Sequence, residues 1–181
     1  FSDLRIKYLK KENSGIVDSL NLGIKKSKGE FIARCDADDI SVPERLSKQV
    51  GYMNNNKNMA MCGSFALCIN EFGQEISKLD YSPRDNNSIR RYIFWHNPFI
   101  HPTVMIRKKV LDQVGGYRSF WKHNEDYELW TRIIKAGEVG LIPEYLLCYR
   151  IHSEQVTIKK KTTMRFYSLL LKPFILLRFK F

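Results

Sequence analysis

The 181-residue chain has no apolar run approaching the ~20 residues a helix needs to cross a bilayer, and it does not open on a secretion signal. It has no CxxC pair. Cys35, Cys62, Cys68 and Cys148 stand apart in apolar, strand-like contexts, which excludes a disulfide scaffold and reads as buried reduced thiols of a cytosolic protein. Internal repeats and low-complexity segments are absent. Acidic residues are scarce, 19 against 30 Lys and Arg, and the formal charge of +11 calls for an anionic partner: a nucleotide diphosphate, a membrane surface or nucleic acid. An initiator methionine is missing as well, so further sequence is expected before Phe1. What the chain does have, 44% hydrophobic and 13% aromatic residues, suits one globular domain with a substantial core and excludes disorder throughout.

Three of the acids stand together. Asp36-Ala37-Asp38-Asp39 follows the apolar run Phe31-Ile32-Ala33, where a buried strand would emerge into a loop. Three carboxylates in four residues repel one another unless a cation offsets them, and hard oxygen ligands suit Mg²⁺ or Mn²⁺ shared with substrate phosphates. Helix capping is the alternative, because Ser41-Val42-Pro43-Glu44 has capping-box spacing ahead of a helix expected from about Pro43 to Tyr52. On the carboxylates alone both readings stay open.

The hydrophobic pattern orders the remaining elements. It predicts a strand over Leu4 to Leu9, a helix capped at Asn13-Ser14 with Ile16, Leu20 and Ile24 on one face and closed at Gly29, then a buried parallel strand from Glu30 to Cys35. A strand from Ala60 to Ile69 and another from Glu75 to Leu79 flank turn residues and read as a hairpin. A helix near Ser88 to Trp95, a strand over His101 to Ile106, and a short basic helix ending at Gly115-Gly116 follow. Leu129, Trp130, Ile133 and Ile134 mark a helix from Glu125 to Ala136 stopped by Gly137, and two short strands lie at Val139 to Ile142 and Tyr145 to Ile151. The class is α/β, with the acidic cluster at a carboxyl edge of the sheet, where ligands bind in open α/β folds.

A second acidic pair, Glu125-Asp126, opens that last helix. Acids in a first helical turn complement the dipole, and a carboxylate at the rim of a site can also take a proton from a hydroxyl. Seven segments then stand in a recognisable order: Asn13-Ser14-Gly15 with Leu22-Gly23; Gly29 to Asp39; Pro43-Glu44-Arg45-Leu46; His101-Pro102-Thr103; Gly115-Gly116-Tyr117; Glu125 to Trp130; and Tyr149-Arg150-Ile151-His152. From about Ile6 to Thr157 the chain resembles a family 2 glycosyltransferase of the GT-A fold, a Rossmann-like mixed sheet flanked by helices.

The resemblance implies an inverting, metal-dependent hexosyltransferase. It would move a sugar from a nucleotide-diphosphate sugar, a UDP-sugar first, to a hydroxyl of a glycan or lipid-linked acceptor in bacterial surface polysaccharide synthesis. Asp36 would lie nearer the donor's ribose or sugar, Asp38 would be the main ligand of Mn²⁺ or Mg²⁺, and Asp39 a supporting neighbour. Asp126 would be the general base, partly buried beside Trp121 or Trp130, and Glu125 would help hold the acceptor. His152 would complete the metal shell or touch the diphosphate. Trp95 and His101 would lie toward the acceptor, although core packing explains both more simply.

Two features depart from the family. The first strands and the base-recognising residues of such enzymes do not precede Phe1, so the sheet is expected to lack its first strands, and the chain by itself to have little or no transferase activity. Residues 158–181 form a basic tail beyond a catalytic portion of residues 1–157: Phe166, Leu169, Leu170, Phe174 and Leu177 alternate with Arg165, Lys172, Arg178 and Lys180. From Thr162 onward this segment suits either an anionic membrane face, placing the protein peripherally on the inner side of the plasma membrane, or packing on the domain or on a second copy. Three other readings are weighed. A haloacid dehalogenase-type phosphatase lacks its Asp-Gly-Thr continuation here, a basic nucleic-acid binder lacks any matching signature, and a non-catalytic remnant would keep the fold alone.

Overall fold

The computed structural model describes residues 3–80, 83–153, 155 and 159–179. Helix α1 (Ile16–Lys26) leads to strand β1 (Phe31–Ala33), the two-residue β2 (Ile40–Ser41) and helix α2 (Arg45–Asn55). Strand β3 (Met59–Ile69) forms a hairpin with β4 (Glu75–Leu79), and α3 (Asn86–Tyr92) follows. After a 3-10 turn at His101–Thr103 come β5 (Met105–Arg107), α4 (Lys108–Val114), α5 (Glu125–Ala136), β6 (Glu138–Arg150) and α6 (Lys161–Phe179). The sheet order is β1-β5-β3-β6-β2, with β4 also paired to β3; β3 and β6 run parallel and every other pair is antiparallel.

Strand β3 is central because its sequence allows it: Met59 to Ile69 is almost wholly apolar and is buried nearly throughout. Gly63 lets it pack closely, since a Cβ there would stand 2.9 Å from both Leu141 and Phe99. The larger core gathers Leu129, Trp130, Ile133 and Ile134 of α5 with Ile89, Leu111, Leu141, Leu171 and Ile175. A second cluster joins Met53 of α2 to Met59, Cys62, Met105, Ile142 and Leu146.

Several boundaries differ from the sequence reading. Residues 4–9 form no strand; Ile6 and Tyr8 are 58% and 86% exposed, and no described strand pairs with them. The strand before the acidic cluster is neither parallel nor deeply buried. It is the edge strand β1, antiparallel to β5 and half-exposed. Helix α1 starts one residue beyond Gly15, whose φ of 94° ends the preceding turn, and closes at Ser27, whose hydroxyl donates to the Gly23 carbonyl. The expected capping box at Ser41 does not form, because Ser41 belongs to β2 and its hydroxyl accepts from Arg45 at 3.1 Å. His101 to Thr103 is a 3-10 turn, with strand only from Met105. The two expected C-terminal strands are one, β6, with irregular pairing to β3 between Ile142 and Leu147 around Pro143. Of residues 158–181, Lys161–Phe179 are helical, and the buried Leu171 and Ile175 join the main core.

Candidate active site

Strand β1 ends at Ala33 and delivers the acidic loop; buried Arg45 fixes where that loop lies. From α2 its guanidinium donates to the Arg34 carbonyl at 2.6 Å, to Ser41, and to Gln49, whose amide in turn donates to the Thr103 carbonyl at 2.7 Å. Arg150 holds the other flank. Its amide donates to Asp39 Oδ1 at 2.9 Å, its Nε to the Asp38 carbonyl at 2.8 Å, and its Nη1 to the carbonyls of Asn70 and Glu71.

The loop so pinned brings the oxygens of Asp36, Asp38 and Asp39 within 4.8 Å of one another. His152 Nε2 lies 3.1 Å from Asp38 Oδ2, although the two are 114 positions apart. Burial, with the charges of Asp36 and Asp38, pushes the Asp39 carboxyl up to about 6 against the Arg150 amide bond that lowers it. Asp39 Oδ2 is buried and has no hydrogen-bond partner. A buried carboxylate oxygen without a donor costs about 1–3 kcal/mol, and a hard divalent cation would satisfy it while offsetting the mutual repulsion. The Asp36, Asp38 and Asp39 oxygens are therefore chemically fit to hold Mn²⁺ or Mg²⁺, with His152 beside Asp38.

The second acidic pair sits at the N-terminus of α5. Asp126 Oδ2 accepts from the Asn97 amide at 2.8 Å, and burial together with the neighbouring Glu125 charge pushes its carboxyl up to about 6. Glu125 is raised too, chiefly by burial. Burial raises the Tyr117 hydroxyl, and the charges of Asp126, Glu125 and Asp36 raise it further against the opposing charge of Arg34. That hydroxyl lies 2.7 Å from His101 Nε2, and burial holds His101 well below its usual range, so the ring is neutral at pH 7. Asn21 of α1 clasps the same loop, its side chain exchanging two 2.9 Å hydrogen bonds with the Tyr117 backbone beside Gly116, whose φ of 63° suits glycine.

Arg34 escaped the sequence reading. Its guanidinium pairs with Asp36 and is nine-tenths buried, and its charge opposes the raised values of Asp39, Glu125 and Asp126. A lone arginine at the end of an apolar strand, two residues before a carboxylate, was the available signal. Asn97 offered none, lying 29 positions from the carboxylate it contacts. Trp95 is 60% exposed and is not a core residue, whereas His101 packs edge-on against Trp130 at 5.7 Å.

Residues 1–115 match the family model described as Glycosyl transferase family 2. The chain belongs to that family. It is 36% identical over 168 residues to the O-antigen biosynthesis glycosyltransferase WbnJ of Escherichia coli, covering 91% of this chain and 63% of that protein. It is 33% identical over 150 residues to the amylovoran biosynthesis glycosyltransferase AmsE of Erwinia amylovora, covering 82% and 55%. The chain thus spans somewhat over half the length of these relatives. Its fold is similar to that of S. aureus TarS 1-349 in complex with UDP-GlcNAc, with a TM-score of 0.60 at 15% identity over 81% of this chain and 42% of that one. It is likewise similar to the mannosyltransferase PcManGT of Pyrobaculum calidifontis in complex with GDP-Man and Mn2+, with a TM-score of 0.56 at 14% identity over 80% and 39%. The architecture is therefore the GT-A type, a mixed sheet flanked by helices, in a family 2 transferase whose relatives build polysaccharides.

Proposed function

We propose that this chain carries the metal-binding and base residues of an inverting hexosyltransferase. It takes a sugar from a nucleoside diphosphate donor, UDP-linked first, to a hydroxyl of a glycan or lipid-linked acceptor in surface polysaccharide synthesis. One observation carries the reading: an acidic triad with an unsatisfied buried oxygen on Asp39 lies in the same electrostatic environment as a separate, half-buried carboxylate raised to about 6, Asp36 of the triad and Asp126 both acting on the Tyr117 hydroxyl. The names of WbnJ and AmsE support the polymer, and the ligands of the TarS and PcManGT complexes support the donor class and the metal.

In this reading Asp38, with Asp39 and His152, holds Mn²⁺ or Mg²⁺, which when bound would offset negative charge on the donor's diphosphate. Asp36, oriented by Arg34, faces the donor's ribose or sugar. Asp126 accepts the acceptor hydroxyl's proton as that oxygen attacks the anomeric carbon from the side opposite the diphosphate, so the configuration inverts. Asn97 holds one oxygen of that carboxylate, leaving the other for the proton, and Glu125 helps seat the acceptor. The enzyme works in the cytoplasm at the inner membrane face. The test is sugar transfer by the full-length parent protein with Mn²⁺. Asp126→Asn is expected to lower kcat by at least ~100-fold with donor binding intact, and wild-type activity, falling about tenfold per pH unit below 6, should level off above it. Transfer unaffected by Asp126→Asn would refute the base assignment.

A further inference from the structure

Helix α6 buries only part of its circumference. Leu171 and Ile175 enter the core, and Arg178 reaches the fully buried Glu128 of α5 at 2.8 Å. On the other side Phe166, Leu169 and Leu177 are 62%, 57% and 77% exposed, and Leu170 and Leu176 are partly so. Arg165 and Lys172 border that ridge, and no Asp or Glu occurs after Glu154, while Lys159, Lys160, Lys161, Arg165, Lys172, Arg178 and Lys180 give seven cations. The ridge lies beside the Asp126 end of the molecule. Asn124, next to the Glu125-Asp126 pair, donates to the Met164 carbonyl at 2.9 Å, and Trp121 meets Phe174 edge-on at 5.4 Å. Lys172 Nζ stands 5.5 Å over the ring of Trp95, two residues before the Asn97 that holds Asp126.

We infer that the outer face of α6 docks on an anionic lipid bilayer, with Phe166, Leu169, Leu170 and Leu177 entering the headgroup boundary and Trp95 beside it, so that Asp126 faces a hydroxyl presented at the membrane surface. The membrane contact rests on α6 itself, and only the acceptor's position rests on the transferase reading. An apolar ridge flanked by cations lies in the plane of an interface, and among the described residues no helix is long and apolar enough to cross it. A two-fold pairing of α6 with a second copy would bring Arg165 and Lys172 of the two copies toward one another, with no Asp or Glu on the helix to offset them. A bilayer instead supplies both the apolar depth and the negative charge.

Vesicle sedimentation tests the surface without metal or nucleotide, so its outcome is independent of the transferase assay. The chain should partition onto vesicles of phosphatidylcholine with about one-third phosphatidylglycerol at least ~10-fold more strongly than onto phosphatidylcholine alone. The variants Leu169→Ser/Leu177→Ser and Arg165→Glu/Lys172→Glu should each lower that partition about tenfold, with a thermal midpoint within a few degrees of wild type. Phe72→Ser, 80% exposed in the β3–β4 hairpin, should leave it as it was. Brominated lipid should quench Trp95, the exposed tryptophan, and spare Trp121 and Trp130, which are 5% and 0% exposed. Equal binding by wild type and both double variants, no binding to anionic vesicles, or an unquenched Trp95 would overturn the proposal. So would a concentration-dependent dimer that Leu177→Ser abolishes in a chain that ignores vesicles.

Discussion

Asp126 is held in a setting that disfavours its charge. Its folded-state carboxyl titrates near 6, against 3.8 for the ordinary side chain, because burial and Glu125 outweigh the bond from Asn97. A carboxyl raised on folding destabilises the fold as pH rises from the unfolded value through the folded one, and is neutral in both states below that window. Asp126→Asn should therefore raise the thermal midpoint at pH 7.5 and leave it nearly unchanged at pH 3, a difference that paired melting curves would show. In the proposed mechanism the same substitution removes the base. The acidic residues themselves were legible in the sequence, because both groups sit at element ends where the pattern breaks. Their partners were not: Arg34 looked like one strand residue among others, and Asn97 and Arg150 gain meaning only when distant segments meet.

At the scale of elements, Arg45 shows what a motif residue does physically. From the first turn of α2 it ties the Arg34 carbonyl, Ser41 and Gln49 together, so the acidic loop inherits its position from a buried guanidinium. Arg45→Ala would leave those acceptors unsatisfied and open a cavity, and is expected to cost about 2–4 kcal/mol in chemical denaturation. The attachment of α6 has a comparable centre in Glu128, which is fully buried and paired with Arg132 at 2.7 Å and Arg178 at 2.8 Å. Glu128→Ala strands two guanidiniums and should destabilise by about 3–5 kcal/mol, with amide exchange in α6 accelerating first.

The long, strongly patterned elements, β3 and α5, matched the sequence closely because their apolar period alone specifies them. The errors fall where pairing decides. Residues 4–9 alternate like a strand yet find no described partner, β1 gains an antiparallel neighbour that local pattern cannot announce, and the Pro143 irregularity divides β6 in sequence but not in space.

Taken whole, the molecule builds its sheet into two apolar clusters and sets Asp36, Asp38 and Asp39 in the loop after β1, within a chain of net charge +11. The order of seven short motifs made that architecture legible before any coordinate, while the metal itself rests on donor chemistry. The most direct test is therefore a titration of the chain with Mn²⁺ in the presence of a nucleoside diphosphate sugar, followed by the loss of the free-ion electron paramagnetic resonance signal. One Mn²⁺ per chain should bind, Asp38→Ala should abolish that binding while leaving the thermal midpoint within a few degrees, and Asp85→Ala, a helix cap outside the triad, should have no effect on it. Saturable Mn²⁺ binding that persists undiminished in Asp38→Ala, or none in the wild type, would contradict the assignment of the acidic loop as the cation site.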